Sequence, residues 1–220
     1  QTAYLKAHHT AAFMAANMCL ILTESAKIHS FIEDLKLWGI RVLPPDINKS
    51  DWFFTVPDEK TVRYGLGGIK GVGEAFINSM MKEREENGPF KDLFSFCSRL
   101  KARDSAGMSR RALEALIKAG AFDSVDRDRA KLFGNLTQAM KAAADMVEFS
   151  GQGSLFGDAS GAEAIVNWVP AEPWSKHEEL LNEKEFIGFC LTGHLFDECR
   201  SEIRRFFPTT IQKVNAGGKG

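Results

Sequence analysis

The sequence has no CxxC pair: its four cysteines, Cys19, Cys97, Cys190 and Cys199, are scattered along 220 residues. That spacing speaks against a zinc site and fits structural thiols in a reducing, cytosolic setting. No apolar run approaches the roughly 20 residues of a membrane span, and no charged-then-apolar signal pattern opens the chain. Net charge is also lacking, since 28 Lys and Arg against 29 Asp and Glu leave -1. Any nucleic-acid contact must therefore come from a local patch or from backbone donors, not from a global basic field. The histidines, His8, His9, His29, His177 and His194, show no ligand spacing with cysteines or acids, so no metal is assigned. Nor is there a convergent acid, base and nucleophile set of the kind a small-molecule enzyme needs. The chain begins Gln1-Thr2-Ala3 without a methionine, and the expectation is a piece of something longer.

What is present is an ordinary globular composition, 44% hydrophobic and 26% charged, enough for one or two domains with real cores. The stretch LKAHHTAAFMAANMCLIL is rich in helix formers and predicts one largely buried helix. A second helix follows, with Ser25 as its cap, Ile28, Phe31, Ile32, Leu35 and Trp38 on one face, and Gly39 as its stop. A short β-branched run is halted by Pro44 and Pro45, and DWFFTV and KTVRYG around PDE predict a hairpin. Helices are expected up to Gly88, over DLFSFCSRL, from Ser109 to Gly120, from about Asp128 to Phe149, and again over WSKHEELLNEKEFIGF. Between Ser150 and Pro173 glycine, serine and proline indicate a linker. TTIQKVNAGGKG reads as the opening of a strand.

The stretch GLGGIKGVGEAF, residues 65–76, places Gly71 and Gly73 on either side of Val72 at the turn into a helix. Glycine there permits left-handed angles and the close approach of another backbone. Free N–H groups at the helix start, backed by the helix dipole, suit a phosphate oxygen. This is the helix-hairpin-helix logic, which grips a sugar-phosphate backbone and reads no bases. Plain turn glycines are the other reading of the same spacing. Neither a phosphate-binding Gly-Lys-Ser/Thr loop nor a dinucleotide fingerprint is present. A second, degenerate hairpin puts Ser109, Arg110 and Arg111 at another helix start, and from Arg99 to Lys131 basic residues outnumber acids. Asp46, Asp51 and Asp58 lie among prolines and turns, where capping is their ordinary use.

Together, AYLKAHH with AAFMAA, GIRVLPPDIN, RYGLGGIKGVGE, RRALEALIKAGAFD, GQGSLFG and GFCLTGH occur in an order that closely resembles the C-family bacterial replicative DNA polymerases, in their polymerase III alpha subunit. The resemblance covers essentially the whole chain. It implies a mainly α fold with a small β-hairpin element. Residues 1–43 would end the fingers helices, 44–126 form a tandem helix-hairpin-helix domain, and 127–149 a connecting helix. Residues 150–173 would be a clamp-binding linker, and 174–220 a helix leading into an oligonucleotide-binding fold. DNA-contacting positions would be Gly68, Ile69, Lys70, Gly71, Val72 and Gly73 in the first hairpin and Ser109, Arg110 and Arg111 in the second.

In the same resemblance, Gln152, Gly153, Ser154, Leu155 and Phe156 match the family's sliding-clamp peptide. Leu155 and Phe156 would enter a preformed pocket while Gln152 hydrogen-bonds beside it. The parent would be a DNA-directed DNA polymerase, a nucleotidyltransferase using magnesium held by palm carboxylates upstream of Gln1. No cofactor is expected in this piece, which would bind without catalysing. Its partners would be double-stranded primer-template DNA, the sliding clamp (beta subunit) and other replisome subunits, in the cytoplasm. The reading from the residues alone also admits a non-catalytic helix-hairpin-helix adaptor or repair scaffold.

Overall fold

A computed structural model of the chain describes residues 1–103, 108–151, 168–197, 199 and 205–206. The fold is mainly α with one small sheet. The start of the chain, expected as a single buried helix, is two: α1 (Thr2–His8) and α2 (Thr10–Cys19). The backbone leaves helical angles at His9, φ −134° and ψ 48°, where Thr10 Oγ1 donates to the Lys6 carbonyl at 2.7 Å. Such a side-chain bond offers the backbone a local alternative to the helix. Of the two, α2 buries Ala11, Met14, Ala15 and Met18, whereas α1 buries nothing. Next, α3 (Ser25–Leu37) packs Ile28, Ile32 and Leu35 inward. Its N-cap is Glu24, so Ser25 is the first helical residue and not the expected cap. Gly39, at φ +69°, ends it as its position predicts.

The sheet has strand order β1-β3-β2, with β1 Arg41–Leu43, β2 Thr55–Asp58 and β3 Thr61–Arg63. β2 and β3 are the predicted antiparallel hairpin, and the Asp58 carboxylate accepts from the Lys60 N–H at 2.9 Å and the Thr61 hydroxyl at 2.7 Å. β1, however, pairs in parallel with β3, Val42 opposite Val62. A parallel pair needs a crossover, and here it is residues 44–60, β2 included, of which the loop 44–54 is the longest part. That loop also joins the sheet to the helices. Asp46 accepts from the Asn48 N–H at 2.8 Å and the Ser124 hydroxyl at 2.9 Å. The Ile47 N–H donates to the Ala121 carbonyl at 2.9 Å. Arg84 donates to the carbonyls of Ile47 and Ser50 and to the Asp51 carboxylate.

Four helices follow: α4 (Glu74–Asn87), α5 (Leu93–Arg103), α6 (Arg110–Lys118) and α7 (Arg129–Gly151). The fully buried Phe96 on α5 is their centre. Around it stand the rings of Phe90 at 4.7 Å, Phe122 at 5.1 Å and Phe76 at 6.3 Å. Burial of each such ring stabilises by about 1.5–3 kcal/mol, and because they meet at one point the two helical hairpins share a single core. The last helix, α8 (Lys176–Phe186), begins at a capping box made by Ser175 and Glu178. Its fully buried Glu183 pairs with Arg129 at 3.2 Å and accepts from the N–H groups of Leu191 and Thr192, both at 3.0 Å. Between α7 and α8, Val169 is held to Asn135 by two bonds, of 2.7 and 2.8 Å. Gln152, Ser154, Leu155 and Phe156 lie outside the described residues, as does the expected strand near the end of the chain.

Candidate nucleic-acid interface

The glycines at 65–73 serve two ends. The first is packing: the Leu66 N–H donates to the Asp51 carbonyl and the Gly67 N–H to the Trp52 carbonyl, each at 2.9 Å, so the run lies flat against residues 51–53. A β-carbon on Gly68 would stand 2.7 Å from the hydroxyl of the buried Tyr64. Gly68 and Ile69 are both interior. The second end is conformation. Gly71 has φ +88°, which turns the chain into α4. Gly73, expected to share that left-handed geometry, is extended instead at φ −94° and ψ 145°, and is the N-cap residue of α4. A β-carbon on it would meet nothing within 4 Å.

The amides divide accordingly. The Lys70 N–H donates to the Phe186 carbonyl at 2.8 Å and the Val72 N–H reaches Ile69 at 3.4 Å. Those of Gly71 and Gly73 have no acceptor among the described residues. The first-turn N–H groups of Glu74, Ala75 and Phe76 have none within the helix. Lys70, Gly71, Gly73 and Glu74 are exposed. Together these groups form a concentration of unsatisfied donors at the positive end of a 14-residue helix.

The second hairpin reaches the same place through one side chain. Ser109 is the N-cap of α6 and its hydroxyl accepts from the Ala112 N–H at 3.1 Å. Arg110 turns away, to Glu114 at 2.7 Å and Thr137 at 2.8 Å. Arg111 is exposed, has no polar partner among the described residues, and lies over Gly71, its Nε 3.5 Å from where a β-carbon would be. The structure therefore brings Arg111 to Gly71, and keeps Arg110 on the α7 side.

Most of the basic run from Arg99 to Lys131 is used internally. Arg99 and Arg103 hold Glu83, Arg129 holds Asp123 and Glu183, and Lys131 holds Asp126. The Lys118 ammonium sits over the rings of Phe133 and Phe186. Burial of Glu83 would raise its pKa, but bonds from Arg99, Asn87 and Arg103 outweigh it and hold the carboxyl below its ordinary value. Burial pushes the Cys97 thiol up to about 12, as expected of a structural cysteine. The contribution of α8 to the first hairpin was not legible in the sequence. Its available signal was Gly188, a positive-φ glycine two residues beyond the helix, near which Lys70 Nζ rests.

Among the described residues no helix is long and apolar enough to cross a membrane, and no three His, Cys, Asp or Glu could hold a metal ion. A family model described as helix-hairpin-helix motif matches residues 39–132. DNA polymerase III subunit alpha of Neisseria meningitidis serogroup B is 42% identical over 214 residues, which is 97% of this chain and 18% of that protein. The Escherichia coli K12 protein of the same name is 38% identical over 210 residues, and that of Xylella fastidiosa 37% over 208, covering 94% and 93% of this chain. The chain spans 17–18% of the length of these relatives. Over almost its whole length the chain is thus a homologue of one stretch of the DNA polymerase III alpha subunit, and its residues 39–132 carry a helix-hairpin-helix motif.

Proposed function

We propose that this chain is the DNA-holding part of a replicative, DNA-directed DNA polymerase working in the cytoplasm, and that it grips duplex DNA without regard to sequence. The observation that carries the reading is the approach of Arg111, from the other hairpin, to Gly71 beside the exposed start of α4, where Arg111 and the Gly71 and Gly73 amides have no hydrogen-bond partner among the described residues. Amides and a cation at one exposed point fit a phosphate, and neither can distinguish a base. Lys70, exposed and with its Nζ near Gly188, is a second cation without an acid partner among the described residues. The polymerase homologues favour this role over that of a non-catalytic adaptor.

The chain's own share is binding. Magnesium and the palm carboxylates that hold it would belong to another part of the parent. Primer-template duplex would be the substrate held, and Gln152, Ser154, Leu155 and Phe156 would tether the parent to the sliding clamp, among the other replisome subunits. Fluorescence anisotropy with labelled duplexes of unrelated sequence, across a salt series, tests the grip. Equal affinities and a log–log salt slope of about −2, for the two cations Lys70 and Arg111, are expected. Affinity that depends on sequence, or that ignores salt, would refute the grip.

A further inference from the structure

Beside the glycine hairpin runs a groove of about 500 Å³ lined by Leu22, Trp52, Phe53, Lys70 and Val72, among others. Its volume falls in the range of about 300–1,000 Å³ typical of sites for small aromatic ligands. Phe53 is the unusual member. Its neighbour Phe54 is 5% exposed and belongs to the core, whereas Phe53 is 49% exposed and leaves its ring in water at the groove. The segment is not loose, because the bonds from Leu66 and Gly67 to the carbonyls of Asp51 and Trp52 lock it to the hairpin. An exposed aromatic ring on a fixed backbone thus lines the same groove as Lys70 and Gly71. Glu74 contributes the groove's acid, against Lys70 and the adjacent Arg111.

We infer that this groove takes an unstacked nucleobase, with Phe53 as the stacking platform, from a single-stranded nucleotide adjoining the phosphate held at Gly71 and Gly73. The inference rests on the phosphate grip proposed above and deepens it, since it adds a preference for DNA with an unpaired end. Aromatic rings beside a cationic backbone track are how sequence-tolerant single-strand binding is built. Stacking needs only a π face, so the site would accept any base.

The test compares three DNAs at one ionic strength: a blunt duplex, the same duplex with an oligothymidine tail, and the same duplex with an abasic tail of equal charge. The unaltered chain should bind the base-bearing tail about tenfold more tightly than the abasic one. Phe53→Leu, which stays apolar at an exposed position, should abolish that difference while leaving the blunt duplex unaffected, and Phe53→Tyr should retain it. Equal binding of the two tails, or a preference that survives Phe53→Leu, overturns the platform while the duplex grip stands. A base preference without any binding of the blunt duplex would overturn the grip and keep the platform, and binding of none of the three would overturn both.

Discussion

Arg111 lies over Gly71, its Nε 3.5 Å from the space a β-carbon would fill, so the two hairpins present one surface to a ligand. Arg111→Ala should weaken binding to duplexes of every sequence alike and lower the salt slope by about 1. Gly73→Asp separates binding from folding. Gly73 has ordinary extended angles and open space around it, and Asp is a favoured N-cap, so stability should rise by a few tenths of a kcal/mol. The same carboxylate would occupy the amides, and duplex affinity should fall. Anisotropy and thermal denaturation on the two variants check both signs.

Leu155→Ala with Phe156→Ala should abolish binding to the sliding clamp and leave duplex affinity unchanged. A pull-down titration with the clamp, run beside the anisotropy assay, checks it, and unchanged clamp affinity would refute the peptide's assignment.

Glu83 sets an acid limit. Its carboxyl is held below the ordinary 4.5, so the stability it adds is complete above that value and is lost as the pH falls through the lowered, folded-state pKa. Asp126, lowered in the same sense, adds to the effect. The melting temperature should therefore drop on acidification below about pH 4.5. Glu83→Gln should be less stable at neutral pH and should show a shallower acid limb in the same melts.

Arg129 and Glu183 are both almost fully buried. Arg129→Met should destabilise by about 3–5 kcal/mol, because it leaves Glu183 charged without its cation. Urea denaturation of the variant measures the loss.

Much of the fold is legible because its signals are local. Gly39, Gly88 and Gly120 stop helices at positive φ, Ser109 caps α6, and Pro44-Pro45 end β1. The turn into α4 is legible for the same reason, in Gly71 at positive φ and Gly73 as the N-cap residue. What could not be read depends on distant partners. Nothing near Arg41–Leu43 announces a parallel partner at Thr61–Arg63. The excess of arginines suggests a basic face until Glu83, Asp123 and Glu183 are seen to take them up. The break at His9 is marked by one local side-chain bond, from the Thr10 hydroxyl to the Lys6 carbonyl, inside a stretch of strong helix formers. Gly68 and Ile69 share the motif's pattern with Gly71, and only packing against Tyr64 shows that they lie beneath the surface.

The loop between β1 and β2 also imposes an order in time. Asp46 and Ile47 find their partners in Ser124 and Ala121, and the Asp46–Ser124 bond spans 78 residues. As the chain leaves a ribosome, residues 44–51 emerge well before the residues they bond to. Arg84 can hold the loop first, but the bonds of Asp46 to Ser124 and of Ile47 to Ala121 must wait until the second hairpin has been synthesised. A chain stopped before Ala121 would therefore leave Asp46 without Ser124 and Phe96 without the ring of Phe122.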